Sequence, residues 1–85
     1  MDEPYGGKQK MVFHLFGHVA AKDFPSWIER HARKLGIEYA FAATQPSMIT
    51  IEAHGADEML DAFALACSLG PQSVCVDRLQ IVSEL

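Results

Sequence analysis

Two stretches of helical periodicity, set among stretches that alternate, constrain this chain more than any other feature. Ser26–Gly36 is predicted as a helix: Phe24, Ile28, Ala32 and Leu35 recur at helical spacing, and Glu29, Arg30, Arg33 and Lys34 fill the wet side. Ala56–Leu69 is predicted as a second, with Met59, Leu60, Phe63, Ala66 and Cys67 as its buried stripe. Ahead of the first helix, Lys10–Gly17 carries Met11, Val12, Phe13, Leu15 and Phe16, a short and largely buried strand that stops at glycine. Between the helices, Ile37–Ala43 and Met48–His54 read as strands joined by Thr44-Gln45-Pro46-Ser47. In the later strand Met48, Thr50, Glu52 and His54 alternate with Ile49, Ile51 and Ala53, so one face is buried and one is wet. Val74–Val82 alternates again and makes the last strand.

The element order is therefore β-α-β-β-α-β. Two helices separated by a hairpin pack on one face of an antiparallel sheet, which is the α+β, ferredoxin-like split βαβ arrangement. Local signals support the boundaries. Ser26 and Glu29 have the spacing of a capping box, with Pro25 as the alternative first helical residue. Gly36 and Gly70-Pro71 are stop signals, and Glu58 and Asp61 sit near the positive end of the second helix. Met1–Gln9 is polar, contains Pro4, Gly6 and Gly7, and is expected to be a disordered leader to a single domain spanning 10–85.

Eighty-five residues are too few for two cores, and 49% hydrophobic with 21% charged residues is a globular balance. No apolar run approaches the ~20 residues that cross a bilayer, and the N-terminus lacks a signal-peptide pattern, so a cytoplasmic address without membrane attachment is expected. The net charge of −4 argues against nucleic acid as a partner. An RNA-binding domain of this fold also needs exposed aromatics on its central strands, whereas Phe13 and Phe16 are predicted on opposite faces. Cys67 and Cys75 match no metal or redox spacing and are expected as buried free thiols, which excludes a Cys-x-x-Cys metal chaperone. His14, His18, His31 and His54 are dispersed; His14 and His54 would meet only across neighbouring strands, a poor metal site. No cofactor and no metal are expected.

The segment Phe16-Gly17-His18-Val19-Ala20-Ala21-Lys22-Asp23-Phe24-Pro25 resembles the phosphate-binding loop of acylphosphatases, which reads F-G-x-V-Q-G-V-G-F-R. Phe16, Gly17, Val19 and Phe24 keep the frame of that motif. Further matches are Phe24-x-x-Trp27, Ala32-x-x-Leu35-Gly36, Gly55, Asp57-Glu58, Gly70-Pro71 and Val76-Asp77-Arg78-Leu79. The resemblance runs from about Val12 to Ile81 and implies an acylphosphatase-like fold.

In that family the loop amides and an arginine cradle the phosphate of an acyl phosphate, and an asparagine positions the attacking water. The resemblance puts Pro25 at the arginine and Ala43 at the asparagine, so no catalytic residue is expected. Proline offers neither the guanidinium fork nor a backbone N–H. Ala21 and Asp23 replace two loop glycines, and Asp23 brings a carboxylate to an anion site. The anion-binding candidates that remain are the loop residues His18, Val19, Ala20, Ala21, Lys22, Asp23 and Phe24. Lys22 as a point charge, His18 when protonated and Gln45 holding a water are the possible stand-ins, each weighed against an ordinary loop or turn role. Trp27 reads as a core-edge residue and Asp77-Arg78 as a structural pair.

The leading expectation is a catalytically silent or strongly impaired binding module, monomeric, taking a small anion or acyl phosphate only weakly, with its protein partner unknown. The alternative is an active acylphosphatase with a rearranged site. A small-molecule sensor assembled by sheet-to-sheet dimerisation is a further possibility for this fold.

Overall fold

Alternation and helical spacing produce the expected elements. The computed structural model describes residues 8–84. They form β1 (Lys8–His18), α1 (Phe24–Leu35), β2 (Glu38–Gln45), β3 (Met48–Ala56), α2 (Asp57–Leu69) and β4 (Cys75–Glu84). The four strands form one antiparallel sheet in the order β2-β3-β1-β4. Residues 1–7 of the expected leader lie outside the described residues; Lys8 and Gln9 belong to β1, because they pair with Ala56 and Gly55 of β3.

One core lies between the helices and the sheet. Met11, Phe13 and Leu15 of β1 and Ile49, Ile51 and Ala53 of β3 face Phe24, Ile28 and Ala32 of α1 and Leu60, Phe63, Ala64 and Cys67 of α2. Phe13 and Phe63 meet edge to face, with centroids 6.0 Å apart. The α2 stripe is centred one residue further on than the sequence implied. Leu60, Phe63, Ala64 and Cys67 follow the i, i+3, i+4, i+7 spacing, so Ala64 is buried, Ala66 is half-buried and Met59 turns outward.

Boundaries shift by a residue or two at most elements, and two shifts and one cap bear on the site. α1 begins at Phe24, not Ser26, since Pro25 is already set for the first turn and Trp27 N–H bonds to Asp23 O at 3.0 Å. Ser26 Oγ donates to Asp23 O, and Glu29 accepts from Arg33 and from Tyr39 Oη at 2.9 Å, so the capping box does not form. Those bonds hold the Glu29 carboxyl below its usual range; Tyr39, partly desolvated and bonded to Glu29, is pushed up to about 12. Thr44 and Gln45 are in β2, because Gln45 pairs with Met48 and leaves a two-residue turn, Pro46-Ser47.

Cys67 is buried, which pushes its thiol up to about 12, but Cys75 is exposed. Val74 and Val76 point inward on either side of Cys75, and strand alternation sends it out. Its Sγ lies 3.6 Å from Asp77 Oδ1. Asp77 and Arg78 do not pair, since neighbours in a strand face opposite ways. Arg78 lies 4.5 Å over the Phe16 ring on the sheet face away from the helices. His14 and His54 do not meet either: β1 and β3 are neighbours, but His14 is opposite Thr50, bonded at 2.7 Å, and His54 is opposite Lys10.

Candidate functional site

The loop between β1 and α1 is held from two sides. At its start, Gly17 N–H bonds to Ser47 O at 3.1 Å and Val19 N–H to Pro46 O at 3.4 Å, tying the loop to the β2–β3 turn. At its end, Ser73 Oγ donates to Asp23 Oδ1 at 2.5 Å, tying it to the segment after α2. The Asp23 carboxylate therefore engages Ser73, and no ion pair joins it to Lys22.

Gly17, near the end of β1 where the loop departs, has a conformation that requires glycine. Its φ is +138°, and a Cβ there would lie 2.2 Å from the Cys75 carbonyl oxygen, at a register shift between β1 and β4. Ala21 and Asp23 adopt ordinary negative φ, with Asp23 at −89°, so neither position calls for a glycine. The N–H groups of Ala20, Ala21, Lys22 and Asp23 make no backbone hydrogen bond.

A cleft of about 330 Å³ opens beside this loop. Val19, Ala20, Ala21, Pro25 and Ile28 line one side of the sequence of elements, and Phe41, Thr44, Gln45, Pro46 and Ile49 come from the β2–β3 hairpin. None of these side chains is charged. Of the loop candidates, Val19, Ala20 and Ala21 line the cleft, whereas His18, Lys22 and Asp23 are exposed and do not, and Phe24 is wholly buried in the core. Of the stand-ins only Gln45 lines it. Pro25 is an exposed lining residue in the first turn of α1.

Ala43 does not line the cleft. A bulge between Phe41 and Ala43 places Ala43 opposite Thr50, while Thr44, opposite the core residue Ile49, reaches the cleft. Sequence spacing alone missed Thr44 and Phe41 as lining residues, because no sequence signal marks the bulge. Trp27 packs against the core as expected, its ring 4.4 Å from that of His31, and its buried Nε1 has no partner. Among the described residues no three His, Cys, Asp or Glu side chains converge as metal ligands, and no helix is long and apolar enough to cross a membrane.

No family model matches the chain, and no curated protein matches it in sequence. Solved structures do match. An acylphosphatase from Coxiella burnetii superposes with a TM-score of 0.85 at 14% identity, covering 100% of this chain and 88% of that one. An acylphosphatase from Bacillus subtilis gives 0.80 at 18% identity, covering 91% and 84%. Full-length HypF, in a phosphate- and nucleotide-bound form, gives 0.77 at 20% identity over 92% of this chain and 10% of HypF. At these identities the likeness is one of architecture: a four-stranded antiparallel sheet under two helices, in the acylphosphatase-like fold.

Proposed function

We propose that this domain is an acylphosphatase-like binding module that has lost efficient hydrolysis of acyl phosphates. The observation that carries the reading is the charge-free cleft, lined in the first turn of α1 by Pro25, the residue that the motif resemblance sets at the family's arginine. A phosphate entering there would give up water without gaining a cation from the lining. Proline contributes no N–H, which removes one donor from the helix N-terminus. The rival reading, a rearranged hydrolase, draws on the unpartnered amides of Ala20–Asp23 and on Gln45, which lines the cleft. Those groups can donate to an oxyanion, but they bring no full positive charge.

The two readings differ in anion affinity. Titration with inorganic phosphate, followed by amide chemical shifts, is expected to move the Val19–Phe24 signals only at millimolar concentration, which corresponds to about −4 kcal/mol or weaker. Saturable micromolar binding at those amides would favour the hydrolase.

A further inference from the structure

The cleft volume of about 330 Å³ sits at the low end of small-molecule sites, roughly 300–1,000 Å³. Its floor is already dry: Ile28 is fully buried and Ile49 is 4% exposed. Its upper wall is not. Phe41 is 37% exposed, an aromatic side chain bordering a cavity that the protein leaves open. Ala20 and Ala21 are small where they line the cleft, so the space is not filled from the loop side. Polar side chains on the lining are few, Thr44 and Gln45, and the N–H groups of the lining residues Ala20 and Ala21 have no backbone partner.

We propose that this cleft binds an uncharged apolar small molecule carrying a carbonyl group. Its ring or branched chain lies against Phe41, Pro25 and the isoleucine floor, and its carbonyl oxygen accepts from the Ala20–Ala21 amides and the Gln45 side chain. The inference rests on the reading that the site no longer takes phosphate. Apolar walls favour a hydrocarbon body, and donors without a partnering cation favour a neutral acceptor over an anion. A carboxylate of the same shape would be desolvated with no positive side chain on the lining to meet it.

Cyclohexanecarboxamide and cyclohexanecarboxylate, matched in shape and differing in charge, test this against the ¹⁵N-labelled full chain at neutral pH. The carboxamide is expected to shift the amides of Ala20, Ala21, Thr44 and Gln45 saturably, with Kd ~0.1–1 mM for so small a ligand. The carboxylate is expected to bind at least ~5-fold more weakly. Phe41→Ala is expected to weaken the carboxamide at least ~5-fold through lost apolar contact. Gln45→Leu, at an exposed position, gives a second variant whose loss of a donor weakens it about 3-fold or more. The proposal is overturned if the carboxamide gives no saturable shifts, if its shifts lie outside the cleft, or if the carboxylate binds as well. Inorganic phosphate is run alongside as a separate arm. Micromolar phosphate binding would remove the reading of the site itself. Failure of both ligands leaves that reading in place and removes this ligand class.

Discussion

Pro25→Arg is expected to tighten phosphate binding at the loop at least tenfold. Arginine restores a backbone N–H and adds a planar cation at the first turn of α1, where the helix end already favours negative charge. A hydrogen bond to a charged group contributes about 1.5–3 kcal/mol, or roughly 10–100-fold in affinity. The exposed position of Pro25 accepts the longer side chain without repacking, and loss of the proline costs about 0.4–1 kcal/mol through the freer unfolded chain. Ala43→Asn is expected to add little to it, because Ala43 stands opposite Thr50 and does not line the cleft. Phosphate titration of the single and double variants by amide shifts checks both statements. Unchanged affinity in a folded Pro25→Arg protein would mean that the first turn does not point at an anion site.

Gly17→Ala is expected to destabilise the domain by about 2–4 kcal/mol. Two costs coincide there. The φ of +138° is strained for any residue with a Cβ, and that Cβ would meet the Cys75 carbonyl oxygen at 2.2 Å. The obstacle is backbone, so relief requires β1 and β4 to part beside the loop. A chain this small has about 4–13 kcal/mol in total, so the loss is a large share and lowers Tm by ~10–25 °C. Urea denaturation measures it directly, and a loss under ~1 kcal/mol would contradict the packing described for Gly17.

Much of this fold is legible in residue order. The Phe24, Ile28, Ala32 period and the alternation of Ile49, Ile51 and Ala53 each identify an element and its buried face, because the core selects those spacings directly. What the order of residues conceals is set by backbone detail. The bulge after Phe41 decides that Thr44, not Ala43, reaches the cleft. The start of α1 moved because Pro25 fits the first turn as well as Ser26 fits a cap. Cys75 turned outward because its neighbours Val74 and Val76 claimed the inner face. The loop itself held a further surprise. Ala21 and Asp23 close it with ordinary backbone angles, so neither position calls for a glycine.

Hydrolysis of benzoyl phosphate by the purified wild-type chain is the most direct measurement. A cleft lined by Pro25 and by no charged residue predicts turnover at least ~10³-fold below that of a site with an arginine in place, from the missing donor alone. Turnover at a rate ordinary for an enzyme, with kcat of about 10–10³ s⁻¹, would contradict it.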